Sequence, residues 1–424
     1  MKFERKVTVL LLSASILTLM GFIPFRVTFL EEKASRMIRD AGADSIRIER
    51  ISVRLWQGIC ISGVDLVENF EGAEKYRISA DKFEISCNLA FAALHFAFSG
   101  DESVTEKDLF GEMINNPLDV IKRSTRIMKK IKPCKSVSVR GGSVDIFEDQ
   151  QRTFYVRKTS LELKRGGDGL KGDVGFAEAF LPSLAVVRKF RAELSVDEDL
   201  VAVRNGKGDL FNGKLKVDTG LDLDSSDLIP SIIEVKGLEL ERFCSQTDFS
   251  LGSLKGTLDL KADIERSDIH VDSLKGKGEF DMKNVEASDL PIQKTATVNF
   301  VSTKLQNLYF RKVESLCTIS NGRLRFKNFR GYGDKMDFSA QGWIRPDGRM
   351  NLKMNGVFSK NFSKKLKRLV KVSLEKTEEG KTEFRCRISG TFEHPLIEID
   401  GSVYKRAAGS VLGDVKQGLR SIFK

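Results

Sequence analysis

The residues that could perform chemistry are few and scattered in this 424-residue chain. The segment Gly167-Asp-Gly-Leu-Lys-Gly172 matches the glycine pattern that holds a dinucleotide pyrophosphate at the N-terminus of a helix. That chemistry needs a helix directly after the glycines, whereas Asp173, Val174 and Phe176 belong to a segment with the pattern of a strand. We therefore interpret the segment as a glycine-rich hairpin turn and expect no dinucleotide cofactor.

Metal and thiol chemistry have equally little support. The three histidines are far apart in the sequence, and none of the six cysteines belongs to a C-x-x-C pair. Multi-histidine metal centres and zinc ribbons require such groupings. We expect no metal, no cofactor and no enzymatic activity. Cys60 and Cys87 lie in neighbouring predicted strands and could form a disulfide, and six reduced, buried cysteines are an equal alternative.

The dominant pattern is an alternation of apolar and polar residues with period two, which is typical of strands with one buried face. It extends from about residue 44 to about residue 401 and contains about twenty predicted strands. Turn pairs such as Asn321–Gly322 and Asp347–Gly348 separate them. Because helices do not alternate with the strands, a doubly wound α/β fold is excluded. We predict a mostly β chain, an elongated antiparallel β meander curled into an apolar groove (a taco or half-pipe).

A long sheet with one apolar face has to cover that face, and a half-pipe leaves a trough that is stable in water only if something apolar fills it. Acyl chains are the expected filler, because each buried methylene contributes about 0.8 kcal/mol. The candidate inward row of this lipid groove comprises Ile46, Ile48, Val53, Leu55, Ile85, Val137, Val139, Val144, Ile146, Leu161, Leu163, Leu215, Val217, Leu258, Leu260, Phe280, Met282, Leu324, Phe326, Phe338, Leu352, Met354, Phe384, Ile388, Ile397 and Ile399.

The N-terminus has the pattern of a membrane anchor. Lys2, Arg5 and Lys6 precede an uncharged apolar run over residues 7–23, which as a helix would span about 25 Å. The run is longer than the apolar region of a signal peptide and lacks a good cleavage site, so we favour an uncleaved anchor over a cleaved signal. The basic residues before the run predict a cytoplasmic N-terminus and a body in the bacterial periplasm.

The periodicity divides the chain into five parts. We predict a cytoplasmic tip and transmembrane signal anchor (1–24), a juxtamembrane helix (25–43), an N-terminal β-groove unit (44–165), a main β-groove (166–401) and an amphipathic helix (402–424). A helical insert over 104–131 interrupts the first groove unit, either as a cap on the open end of the sheet or as a basic membrane-surface helix. The last helix could dock on the sheet end, on a partner or on an anionic membrane.

The net charge of +11 is spread along the chain and mixed with acidic residues. Nucleic acid would be out of reach of a periplasmic body, so we expect no nucleic-acid partner. Anionic phospholipid headgroups match the excess of basic residues better, and plain solubility of a β-rich protein is an equal alternative.

The arrangement resembles the AsmA-like family, which is allied with TamB and the bridge-like lipid-transfer proteins. The resemblance lies in the anchor, in the strand segments IERISVRLWQGICISGVDL (48–66), ISADKFEIS (78–86) and VSVRGGSVDI (137–146), and in the C-terminal segments LKGKGEFDMKNVEA (274–287), ISNGRLRF (319–326), QGWIRPDG (341–348) and ISGTFEHPLIEID (388–400).

The resemblance implies an inner-membrane-anchored periplasmic groove that acts in intermembrane lipid transport and outer-membrane homeostasis, with an AsmA-like region at the C-terminal end of the main groove. The implied partners are phospholipids, the inner membrane through the N-terminal helix, and outer-membrane or periplasmic proteins. The alternative is a non-enzymatic scaffold that assists outer-membrane protein assembly by strand addition at an exposed sheet edge.

Overall fold

The computed structural model describes most of the chain between residues 45 and 399. The described residues are 25–26, 45–54, 58–70, 73–87, 134–148, 150–166, 169–181, 185–197, 200–222, 227–246, 252–265, 267–268, 273–295, 305, 307–345, 347–364, 366 and 374–399.

Twenty-two strands occur in this described part of the chain. They are β1 (Phe25–Arg26), β2 (Ser45–Arg54), β3 (Gly58–Phe70), β4 (Ala73–Cys87), β5 (Cys134–Glu148), β6 (Gln151–Gly166), β7 (Gly169–Leu181), β8 (Ala185–Val196), β9 (Leu200–Leu210), β10 (Gly213–Asp222), β11 (Asp227–Leu228), β12 (Ser231–Glu239), β13 (Ser253–Ile264), β14 (Ser267–Asp268), β15 (Gly276–Ser288), β16 (Asn307–Ser320), β17 (Arg323–Gly333), β18 (Met336–Ile344), β19 (Arg349–Phe358), β20 (Glu375–Lys376), β21 (Thr382–Thr391) and β22 (Pro395–Ile399).

Three short helices connect strands: α1 (Leu240–Gln246), α2 (Pro291–Lys294) and α3 (Lys360–Ser363). Helix α2 begins with proline at its first position, where no backbone N–H is needed. The buried Gln293 side chain holds α2 in place, since its amide donates to the carbonyls of Ala287 (3.0 Å) and Leu305 (3.2 Å).

The predicted fold class is confirmed in its main terms: the described chain is mostly β, and its strands form an open antiparallel sheet that is not closed on itself. The turn chemistry is also as predicted. Asn321 and Gly322 both have positive φ, 51° and 59°, between β16 and β17, which is what a two-residue hairpin turn requires. The Gly-rich segment at 167–172 joins two strands of a hairpin, as predicted, because β6 ends at Gly166, β7 begins at Gly169 and the two residues are paired.

The chain divides into two compact units, residues 1–208 with 220–224 and residues 209–219 with 225–424. In the first unit, β2 to β8 form a meander in which each strand pairs with the next. In the second unit, hydrogen bonds connect β10, β12, β13, β15, β16, β17, β18, β19, β21 and β22 in that order. Consecutive strands are neighbours in both units, which is how hairpin spacing in the sequence is converted into a sheet.

The sheet of the second unit curls around its apolar face. Strands β15 and β22 are six pairing steps apart, which would be about 29 Å in a flat sheet. Yet α2, which follows β15, contacts β22. Ile292 of α2 also packs into the same apolar cluster as Phe280 of β15 and Ile397 and Ile399 of β22. Only a curled sheet brings these elements together.

Bulges interrupt the alternation at recurring positions. Five strands contain a four-residue segment with a common pattern. It consists of an apolar residue, a basic residue, then Lys, Asn or Gly, and finally another apolar residue, and the two middle residues are turned away from the apolar face. Lys189, Gly237 and Asn284 in these segments have positive φ, and the register shifts beside several of them are typical of β-bulges. The segments are VRKF (187–190), VKGL (235–238), MKNV (282–285), FRKV (310–313) and FKNF (326–329).

Several sequence expectations differ from the structure. The predicted helix over 25–43 does not begin at Phe25, because Phe25 and Arg26 form β1 and pair with Val53 and Ser52 of β2. Aromatic side chains favour such pairing with a strand, and residues 27–43 lie outside the described part. The predicted division after residue 165 falls inside the β6–β7 hairpin, whereas the two units separate at residues 208 and 209.

The Cys60–Cys87 disulfide is a wrong expectation. Cys60 is reduced and lies opposite Ser52 and Glu84. Three residues separate Glu84 from Cys87 along β4, which is about 10 Å, and a disulfide needs Cα atoms within about 7 Å. Spacing in the sequence indicated neighbouring strands but not their register.

The remaining helical predictions are only partly covered. The basic segment over residues 360–372 also has the sequence pattern of a short helix; α3 lies at its start, and most of the segment is outside the described residues. The anchor (1–24), the insert (104–131) and the terminal helix (402–424) are outside them entirely. Among the residues that the structure describes, no helix is long and apolar enough to cross a membrane.

Candidate functional site

The candidate site is the apolar face of the sheet, and in the first unit it consists of unbroken cross-strand rows. The central row has one apolar residue from each of seven consecutive strands, each opposite the next: Ile51, Ile61, Phe83, Val139, Leu161, Val174 and Ala192. A second row on the same face runs beside it: Val53, Ile59, Ile85, Val137, Leu163, Gly172 and Leu194. Cross-strand apolar neighbours of this kind stabilise a sheet and make its face continuous.

Most of this face in the first unit is only half-buried. Ile61, Phe83, Val139, Leu161 and Val174 all keep part of their surface exposed to solvent. The buried side chains of this unit include a cluster of Leu163, Leu170 and Val196, with Leu161, Leu194 and Val201 packed around it, and also Ile51, Val137 and Ala192 of the two rows. The described strands of this unit contact mainly their neighbours in the sheet. Among the described residues, the apolar face of this unit is therefore partly exposed.

The second unit has a longer row but a better-filled core. Ten strands contribute one residue each to the row Val217, Ile233, Ala262, Gly278, Cys317, Phe326, Gly342, Leu352, Ile388 and Ile397. Buried residues of this row and the next, including Phe326, Leu352 and Ile388, form one cluster. Curling of the sheet allows the side chains to pack against each other, so they occupy much of the space that a flat sheet would leave open.

In another row on the apolar face of the second unit, phenylalanine side chains lie over glycines. Gly331, Phe338, Gly356 and Phe384 follow each other across β17, β18, β19 and β21. A Cβ on Gly331 would lie 2.2 Å from the Phe338 ring, and one on Gly356 would lie 2.1 Å from the Phe384 ring. Glycine is required here by the close approach of the rings.

The opposite face of both units is charged and largely paired. In the first unit, the carboxylate of the buried Asp145 accepts two hydrogen bonds from Arg157, at 2.7 and 2.5 Å. The hydrogen bond from Arg77 lowers the pKa of the Asp65 carboxyl. The hydrogen bond from Tyr155 (2.6 Å) has the same effect on the pKa of Glu178.

A surface cavity of about 540 Å³ lies on the charged face of the second unit. Its walls carry both signs of charge, and ion pairs join Lys236 to Glu234 (2.7 Å) and Lys283 to Asp259 (2.9 Å). Hydrogen bonding to Lys283 lowers the pKa of Asp259. These pairs neutralise Glu234 and Asp259, and the carboxylates of Glu279, Asp281 and Glu314 also line the cavity. Across the described residues, no cluster of His, Cys, Asp or Glu could hold a metal ion.

The structure brings most of the predicted inward row onto one face in each unit. Val137, Val139, Leu161 and Leu163 lie in the two rows of the first unit, and Val217, Phe326, Leu352, Ile388 and Ile397 lie in the ten-strand row of the second. Leu215, Leu260 and Phe280 occupy the adjacent row, and Leu258, Met282, Phe338 and Phe384 occupy the row beyond that one. Leu55 is outside the described residues, and only the backbone of Ile46 is described.

Sequence reasoning missed some members of the face. Phe83 was recognised as a strand residue but not assigned to the inward row, and Ile51, Ile61 and Val174 were also left out. In β2 and β3, Ile51 and Ile61 have the opposite numerical parity to Ile48 and Leu66. The signal that could have identified them is the glycine between the two halves of a strand: Gly63 and Gly141 have φ of 62° and 63°, and the apolar parity changes beside them.

No family model, curated protein or solved structure matches this chain. The resemblance to AsmA-like proteins therefore stays a prediction from the sequence segments quoted above.

Proposed function

We propose that the chain is an AsmA-like, non-enzymatic lipid-binding protein that holds phospholipid acyl chains on the apolar face of its sheet. In this proposal residues 1–24 anchor it in the bacterial inner membrane, the body lies in the periplasm, and the protein acts in intermembrane lipid transport and outer-membrane homeostasis. The observation that carries the proposal is the pair of unbroken, half-buried apolar rows in the first unit.

The energetic argument is simple. Half-buried side chains such as Phe83, Val139 and Leu161 still expose apolar surface to water, and a large continuous apolar surface is unfavourable unless something covers it. An acyl chain offers a flexible apolar cover, and each methylene that leaves water contributes about 0.8 kcal/mol. The headgroup can stay at the open side of the sheet, where it remains hydrated.

The proposal places the acyl chains mainly in the first unit. In the second unit, the ring centroids of Phe280, Phe326 and Phe338 each lie 5.2 to 5.8 Å from that of Phe329, so these side chains occupy much of the space within the curl. Substitutions of Phe326 would therefore test folding before they tested lipid binding, because this residue is buried in the core cluster.

The experiment uses the full-length chain in bacterial cells with a photoreactive p-benzoylphenylalanine at one position. Val139 is half-buried on the apolar face, and Ser136 is half-buried on the same strand but faces the other way, opposite Lys164. After illumination, mass spectrometry of the purified protein should detect phospholipid adducts from position 139 and few or none from position 136. Equal adduct yields at both positions, or no lipid at position 139, would contradict the proposal.

A second candidate, a scaffold for outer-membrane protein assembly, rests on strand β22. Within the described residues, β22 forms an antiparallel ladder with β21, and this candidate requires its other edge to accept an added strand. Crosslinking from Leu396, which is 62% exposed on β22, should capture a partner protein in stoichiometric amount if this candidate is correct. Recovery of lipid from position 139 without any such protein would favour the first candidate.

A further inference from the structure

Two cysteines separated by a long stretch of sequence are direct neighbours in the sheet of the first unit. Cys87 is the last residue of β4, Cys134 is the first residue of β5, and the two are partners in the antiparallel register. Opposed residues in such a pair have Cα atoms about 4.5 to 5.5 Å apart. Disulfides form between residues whose Cα atoms are about 4.4 to 6.8 Å apart, so the register satisfies the main geometric condition.

The other four cysteines do not compete for these two. Cys60, Cys244, Cys317 and Cys386 are reduced in the structure. Cys317 lies opposite Gly278 and Phe326, and Cys386 lies opposite Met354 and Ile399, so neither is in register with another cysteine. Cys60 is displaced along β3 from the position that would face Cys87. Cys87 and Cys134 are therefore the one directly opposed cysteine pair in the described strands.

We propose that Cys87 and Cys134 form a disulfide bond when the protein meets a disulfide oxidant, either a small-molecule disulfide or a disulfide-exchanging protein. The thiolate of one cysteine attacks a sulfur of the oxidant, which gives a mixed disulfide and releases one reduced thiol. The thiolate of the second cysteine then attacks the protein sulfur of the mixed disulfide and releases the other reduced thiol. The protein gives up two protons and two electrons, and the oxidant takes up both.

The bond would fix the ends of β4 and β5 to each other. Lys135 is the extra residue of a register shift at this end of the pair, where Ser86 faces Ser136 and Cys87 faces Cys134. Pairing at a strand end with such an irregularity is easily frayed, and a covalent link there removes that freedom. The inference goes beyond the proposed function, because it depends on the register and on an oxidant and not on what the apolar face binds.

The test counts free thiols by intact-mass spectrometry. The purified, reduced full-length chain is incubated with glutathione disulfide, denatured and alkylated with N-ethylmaleimide. The six cysteines should then give four labels, rising to six when the oxidised protein is reduced before alkylation. Peptide mapping should identify the Cys87–Cys134 link.

Matched variants sharpen the count. Cys60→Ser should leave the bond intact and give three labels after oxidation, whereas Cys87→Ser should give five. Six labels on the oxidised wild-type chain, a glutathione adduct in place of an internal bond, or a mapped link between other cysteines would overturn the proposal. The number of labels on the oxidised wild-type chain tests the proposal by itself, so the test remains valid if a variant fails to fold. Lipid adducts at position 139 are a separate readout, so either proposal can fail alone.

Discussion

The contact between Gly356 and Phe384 predicts a large cost for the smallest possible substitution. Gly356 has an ordinary strand φ, so alanine suits its backbone. The added Cβ, however, would lie 2.1 Å from Cζ of Phe384, whereas ordinary van der Waals contact begins at 3.4 Å. The ring would have to move by about 1.3 Å, the difference between the two distances. It cannot move freely, because it stacks on the fully buried Phe358 at 4.7 Å.

We expect Gly356→Ala to lower the free energy of unfolding by about 1–3 kcal/mol, which is the usual cost of overpacking a core by one or two methyl groups. Gly166→Ala is the matched control, since its Cβ would meet nothing within 4 Å and its φ is not positive. The control should be neutral or slightly stabilising. Urea unfolding followed by circular dichroism compares the two variants with the wild type.

A double-mutant cycle tests the mechanism itself. Phe384→Leu removes the ring that the new Cβ would strike, so Gly356→Ala should cost less in the Phe384→Leu background, by at least about 0.5 kcal/mol. Equal unfolding midpoints for Gly356→Ala and Gly166→Ala would refute the reasoning. Strict additivity in the cycle would refute it as well, because the loss would then not come from this contact.

Three further predictions concern charge and thiols. Arg157→Met should destabilise the protein by about 2–4 kcal/mol, because the buried Asp145 would keep only a 3.5 Å contact to Arg152. Arg77→Met breaks an exposed ion pair and should cost less than about 1 kcal/mol in the same denaturation assay. Burial raises the pKa of the Cys386 thiol to about 11, so iodoacetamide at pH 8 should label it in the native protein far more slowly than after unfolding; equal rates would show that it is accessible. The carboxyl groups with lowered pKa values, Asp259 among them, stabilise the folded state fully at pH values above the ordinary pKa of 3.8, and this stability is lost as the pH falls through the lowered pKa. The melting temperature should therefore decrease below about pH 4. A melting temperature that stays constant down to about pH 2 would contradict this.

The class of fold and the chemistry of its turns could be predicted from the sequence because both depend on local patterns. Alternation over two residues determines which side chains share a face, and Asn321–Gly322 is a pair that readily adopts the positive φ of a tight turn. The same logic assigned Val139, Leu161 and Leu352 to the apolar face. These predictions required no knowledge of which strand lies beside which.

What could not be predicted depends on register. The alternation changes parity at bulges, so Ile51 lies in the central apolar row although its numbering is out of step with that of Ile48 in the same strand. The pairing of Cys87 with Cys134 in place of Cys60 likewise depends on how far one strand is displaced along its neighbour, and no short pattern encodes that distance. The packing in the second unit was also not predicted, because curling brings Ile292 and Ile397 together from distant parts of the sequence.

The four-residue bulge segments have a consequence for how such a chain can change its length. Each segment shifts the alternation by one residue within its own strand, so the apolar residues before and after the bulge lie on the same face of the sheet. If two adjoining strands that carry such segments were deleted or duplicated together, the strands on either side would pair with their apolar residues still aligned. Adding or removing one hairpin whose two strands carry such segments would change the length of an apolar row by about 10 Å.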